Sequence, residues 1–282
     1  DRYRRQRQMC IRDRGKTDPD RSETPSKREH TIDVVVPGIG VEYAINEFQT
    51  VSVGIHKGFA PPGPGTSGVT DKAVDPETSM NTEIGFKSNK GLNSLEFTLF
   101  MNSYDNLLGA DTAASGGGSD ELFNGGAVDI SGFELYLRRI LVDNGRIQMP
   151  LELAWTNTNS KFQESFDGFW GDVSKGDELT YLPDTMIALN LGLNVDKISA
   201  YISMKKTSEM RTVAGSGSIS SSNATDELTI IDLGLRYALQ DNIRLSVGIN
   251  NFMDDDGVVS RRPYGARPTM PRSFSFGVDY TF

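Results

Sequence analysis

Residues 274–282 read Phe274-Ser275-Phe276-Gly277-Val278-Asp279-Tyr280-Thr281-Phe282, an unbroken alternation of large apolar with small or polar side chains. Successive side chains of an extended chain point to opposite faces. The stretch is therefore a strand with Phe274, Phe276, Val278, Tyr280 and Phe282 on one face and Ser275, Gly277, Asp279 and Thr281 on the other. Working upstream, the same period returns ten times, over 243–249, 231–237, 198–204, 187–193, 147–155, 133–137, 95–101, 80–86, 51–55 and 41–45. In each segment one face is mostly Leu, Ile, Val, Met or aromatic, with Ala200 and Thr82 as smaller members. The opposite face carries residues such as Glu96, Glu134, Glu152, Asp232 and Arg236.

The connections discriminate between β architectures. Short turns fall near 46–47, 88–91, 143–145, 194–196 and 239–242, with turn residues such as Asn89-Lys90-Gly91 and Asp143-Asn144-Gly145. Long polar segments fall near 58–77, 105–127, 159–184, 212–227 and 252–271. Short and long alternate strictly. A soluble β-sandwich or lectin-like barrel, the alternative all-β reading, has no reason to keep every long loop at one end. A transmembrane barrel does, with tight periplasmic turns and long external loops. Several segments also have the roughly 9–11 residues that a tilted strand needs to cross a bilayer. The expected fold is an all-β, antiparallel up-and-down transmembrane β-barrel, here in part, with about eleven strands.

Composition narrows the function. The chain of 282 residues has a formal net charge of −9, two His and one Cys. Its longest apolar run is Met186 to Leu189, far short of the roughly 20 residues of a spanning helix. The acidic balance argues against a nucleic-acid partner, and one Cys excludes a disulfide framework. No nucleophile-elbow motif accompanies the serines, so the sequence offers no hydrolase constellation, and no enzyme is expected. Asp254-Asp255-Asp256-Gly257 lacks the spacing of an EF-hand and reads as a turn. Gly116-Gly117-Gly118 and Asn124-Gly125-Gly126 are followed by no strand-to-helix unit that would cradle phosphate. Trp155 and Tyr237 suit the aromatic girdles of a membrane interface. No cofactor and no metal site is expected.

Residues 1–30 stand apart. They hold ten Lys/Arg and six Asp/Glu, leaving −13 on the remainder, and show no apolar period. Met9-Cys10-Ile11-Arg12-Asp13-Arg14 is similar to the translated end of a sequencing adapter, which reads roughly the first dozen residues as artefactual, and 1–30 as a whole is a disordered, artefactual or loop segment. The barrel part is 38–282. Its last strand follows a long external loop and so runs inward, and stepping back through ten connections makes the first strand run inward too. Bacterial single-chain barrels have even strand numbers, so upstream strands are expected and 38–282 reads as a C-terminal part.

The closing strand resembles the assembly signal of outer-membrane barrels, with an aromatic terminus and apolar residues at every second position before it. Three more segments resemble the TonB-dependent receptors, with the ferric-citrate-type branch the most similar. They are Gly58-Phe59-Ala60-Pro61-Pro62-Gly63-Pro64-Gly65, Tyr181-Leu182-Pro183-Asp184, and Asn250-Asn251-Phe252-Met253-Asp254 with Ser260-Arg261-Arg262-Pro263-Tyr264-Gly265-Ala266-Arg267-Pro268. Asn251-Phe252-Met253-Asp254 departs from the family's usual Asn-Leu-Phe-Asp order. The resemblance implies a barrel of about twenty-two strands closed around a plug, of which this would be the second half. It also implies an outer-membrane location, lipid contact, handling by the barrel-assembly machinery, import of an iron chelate such as a siderophore or ferric citrate, and coupling to the TonB complex. Plug and TonB-binding segment lie upstream in this family. A passive porin-type channel is the second reading. An anionic chelate calls for guanidinium forks, which singles out Arg261, Arg262 and Arg267 in the last long loop and Arg211 in another, against the plainer reading that they are loop charges paired with Asp254, Asp255 or Asp256.

Overall fold

A computed structural model describes residues 34–61, 76–111, 121–168, 171–262 and 265–281. The 1–30 segment, Gly116-Gly117-Gly118, Pro62 to Gly65, Pro263, Tyr264 and the terminal Phe282 lie outside the described residues. In chain order the strands begin with β1 (Gly38–Asn46), β2 (Gln49–Ala60), β3 (Glu77–Lys90), β4 (Asn93–Tyr104), β5 (Leu108–Asp111), β6 (Glu121–Asn124), β7 (Val128–Asp143) and β8 (Ile147–Phe162). They continue with β9 (Phe166–Gly168), β10 (Gly171–Val173), β11 (Thr185–Val195), β12 (Ile198–Thr207), β13 (Leu228–Gln240), β14 (Ile243–Asn250), β15 (Val258–Ser260), β16 (Arg267–Pro268) and β17 (Ser273–Tyr280). Eleven of them form one antiparallel meander in the order β1-β2-β3-β4-β7-β8-β11-β12-β13-β14-β17. These are the eleven segments that the alternation marks out. The other six make three two-stranded ribbons, β5–β6, β9–β10 and β15–β16, each inside a long connection.

Register turns the sequence period into two continuous faces. Leu193, Ala200, Leu235, Val247 and Phe276 stand opposite one another across five strands, and so do Tyr43, Val51, Phe86, Phe97, Leu135, Trp155 and Ile187 across seven. One residue along, the rows become Asn194, Ser199, Arg236, Ser246 and Gly277, and Glu42, Ser52, Gly85, Thr98, Glu134 and Thr156. The polar face carries its own ion pairs, Lys87–Glu96 at 2.8 Å and Arg138–Glu152 at 3.6 Å.

Among the described residues no second layer covers the apolar face. Phe276 is 80% exposed and Val41 66%. In water such a surface would be a gross liability; against hydrocarbon it is the stable arrangement. Tyr43, Tyr237 and Tyr280 lie on it toward the short-turn end, where an interfacial girdle belongs. Phe133 packs edge-on against Trp155 with ring centres 4.9 Å apart. The packed core lies elsewhere. β7 and β8 have 16 residues each, more than a membrane crossing needs, and their far ends meet at the long-loop side. There Val128, Phe162 and Val173 are buried together, with Tyr104, Leu107, Ile130, Phe166, Leu179 and Ala214 against them. On the polar face, glycines admit aromatic rings from neighbouring strands: Tyr201 lies over Gly234 and Phe100 over Gly132.

Candidate functional site

Three long connections at one end of the sheet, 163–184, 208–227 and 251–272, are knitted together around Tyr181. This residue adopts a left-handed backbone, φ 56°, uncommon for a side chain of its size. Its backbone N–H donates to the Arg211 carbonyl at 2.8 Å, and its hydroxyl accepts the Arg261 N–H at 3.2 Å. The Arg262 guanidinium sits 5.7 Å from the centre of the Tyr181 ring, a cation–π distance.

Arginine side chains supply the remaining ties, because one guanidinium offers five donors in a rigid fork. Arg211 is buried; its Nε donates to a Glu178 carboxylate oxygen and its Nη2 to the Gly217 carbonyl. Arg261 donates from Nε to the Ala224 carbonyl at 2.6 Å and from Nη2 to the Ser221 carbonyl at 2.8 Å. Arg262 Nη2 donates to the Thr212 carbonyl at 2.9 Å. Backbone bridges Glu178–Gly215 and Arg211–Ala224 complete the joint. Arg211, Arg261 and Arg262 thus converge, whereas Arg267 stands exposed on the β15–β16 ribbon.

The neighbouring aspartates are engaged elsewhere. Asp254 pairs with Arg272 at 3.1 Å, and the Arg272 backbone and side-chain hydrogen bonds hold its carboxyl below the usual range. Asp255 accepts the Thr229 N–H at 2.9 Å and the Gly257 N–H at 3.4 Å. Asn251, buried and left-handed at φ 50°, donates from Nδ2 to the Asp255 and Met270 carbonyls at 2.9 Å each. Nothing in the sequence marks Glu178, and Tyr181 and Asn251 are marked only by their place in the quoted motifs. Among the described residues no group of three or more His, Cys, Asp or Glu could hold a metal ion.

Burial raises the Asp184 carboxyl above its ordinary value, Glu178 repels it further, and Arg211 opposes both. A raised native pKa means that the folded loops bind this proton more tightly than the unfolded chain does. Stability from this group is therefore gained as pH falls through its native pKa toward the ordinary carboxylate range, and is lost at neutral pH. We expect Asp184→Asn to slow amide exchange in 163–184 at pH 7 and to flatten its pH dependence. Hydrogen-exchange mass spectrometry between pH 4 and 7.5 checks this.

The comparisons agree with the geometry. The family described as TonB dependent receptor-like, beta-barrel, matches residues 3–252. The chain belongs to the TonB-dependent receptors. Members of this family are transport receptors of the bacterial outer membrane, so the apolar face is the lipid-facing outside of a barrel and the long loops are external. No curated protein matches in sequence. Among solved structures, the ferric-catecholate import receptor Fiu from E. coli K12 superposes with a TM-score of 0.66 at 19% identity, over 87% of this chain and 34% of that one. The ferripyoverdine receptor of the outer membrane of Pseudomonas aeruginosa gives 0.66 at 18%, over 87% and 32%. The siderophore receptor PiuA from Acinetobacter baumannii gives 0.68 at 17%, over 86% and 35%. This TonB-dependent chain spans about a third of the length of each.

Proposed function

We propose that the full-length receptor imports an iron chelate across the outer membrane with energy delivered through TonB, and that ferric citrate is its ligand class. The observation that carries this reading is the arginine-tied platform of three external loops on a family barrel. The named neighbours include receptors for ferric catecholate and ferripyoverdine, which supports iron as the cargo. Arg267 supplies the exposed fork for a carboxylate-rich anion, while Arg211, Arg261 and Arg262 fix the loops that present it. The wall closes around a plug, and the barrel-assembly machinery reads the last strand through Phe274, Phe276, Val278, Tyr280 and Phe282.

Uptake of radiolabelled iron by cells expressing the full-length receptor tests this. Ferric citrate is expected to enter only with an energised TonB system, with hydroxamate and catecholate chelates as comparators. Arg267→Ala is expected to weaken ferric citrate binding about tenfold, the loss of one charge-assisted contact. Flux that persists without an energy source identifies a passive channel instead.

A further inference from the structure

At the periplasmic edge of the outer wall the lipid-facing rows change character. One row holds Ser88, Leu95, Leu137 and Leu153. The next row toward the turns begins with Lys90 opposite Asn93, continues to Arg139, and ends at Leu151 opposite Arg139. Asn93 Oδ1 accepts the Ile140 N–H at 2.9 Å, which brings Arg139 alongside Asn93. Both cations therefore project from the face that meets lipid. Arg138, one residue earlier, points into the lumen and pairs with Glu152.

Neither cation has a carboxylate partner among the described residues. Lys90 rests instead 5.4 Å from the centre of the Phe48 ring. Phe48 is exposed, and so are Leu92, next to Asn93 in the chain, and Leu141, two residues beyond Arg139. Two cations and an amide, directly below a leucine row and framed by apolar side chains, match the head and glycerol region of a lipid carrying negative charge. A cation facing the bilayer midplane is costly, whereas at the interface the penalty nearly vanishes and an anion makes the position favourable.

We propose that Lys90, Asn93 and Arg139 form a site for an anionic phospholipid headgroup in the periplasmic leaflet. The proposal rests on family membership and on register, not on the choice of iron chelate. Each cation contributes about 1 kcal/mol near an anionic surface, or roughly fivefold in lipid retention.

The test uses the full-length receptor in nanodiscs of phosphatidylethanolamine with one-fifth phosphatidylglycerol, extracted into mild detergent for native mass spectrometry. Wild type is expected to retain phosphatidylglycerol above its bulk share. Lys90→Ala and Arg139→Ala should each lower that enrichment about fivefold, and together bring it to the bulk ratio. Arg139→Lys should keep most of it, and Arg138→Ala all of it. A heat-modifiable gel band verifies that each variant is folded. Enrichment unchanged in the folded double variant overturns the proposal, as does equal enrichment of phosphatidylethanolamine. Occupancy by free phosphate without lipid overturns it too.

Discussion

Glu178→Ala is expected to loosen all three external loops at once. Arg211 is only 8% exposed at its side chain, and Glu178 is the carboxylate it meets. Deleting one partner of a buried pair leaves the other charge desolvated and uncompensated, which costs about 3 kcal/mol. The loss falls on the joint rather than on the wall, whose strand ladders lie below it. Amide exchange should therefore accelerate by roughly a hundredfold, the rate equivalent of about 3 kcal/mol, at Tyr181, Thr212 and Thr225, with β11 to β14 unchanged. Acceleration confined to residues near 178 would mean that the loops are independent. Arg211→Met, which removes the buried charge as well as the pair, should be milder than Glu178→Ala.

Gly132→Ala is expected to impair the barrel itself. A methyl group at this position would sit 1.9 Å from the Asn157 carbonyl oxygen and 2.9 Å from the Phe100 ring. The carbonyl belongs to the neighbouring β8 backbone and cannot swing away, so the strands must part or the ladder must bulge. Overpacking of this kind costs about 3 kcal/mol. The readout is the folded, heat-modifiable band of the full-length receptor after refolding from urea into detergent, with its midpoint shifted to lower denaturant. Gly234→Ala is the contrast. Its new methyl would meet the Tyr201 ring at 2.1 Å, but a side chain on the polar face can rotate into the lumen. That variant should lose only about 1 kcal/mol or less. Equal losses at both positions would overturn the distinction between backbone and side-chain crowding.

The wall was legible because its physics is periodic. An apolar side chain at every second residue announces each strand, and the alternation of short with long connections announces the barrel. Leu189, Leu233 and Phe276 stay on the apolar face, and among the described residues no second layer lies over them. The ribbons inside the long loops were not legible, since Phe166–Gly168 and Val258–Ser260 are three residues each and too short to establish a period. The site was half legible. Arginine chemistry pointed to Arg211, Arg261, Arg262 and Arg267, yet nothing local reveals that three of these guanidinia turn inward to backbone carbonyls 6 to 50 residues away. Partners so distant in sequence are set by tertiary packing. Tyr181 and Asn251 illustrate the same limit: their left-handed backbones are a cost met by the loop contacts around them, and no neighbouring residue encodes that.

The cluster of Val128, Phe162 and Val173 lies beyond the membrane, whereas the Phe276 row lies within it. Two different solvents therefore maintain one continuous sheet. Water drives the cap together by expelling apolar surface, and that force weakens on cooling or in urea. The belt gains nothing from water, and its cohesion comes from amides that have no other partner in oil. The same strands, β7 and β8, pass from one regime into the other within a single ladder. Mutations in the crown can consequently loosen the loops without threatening the strand wall that carries them.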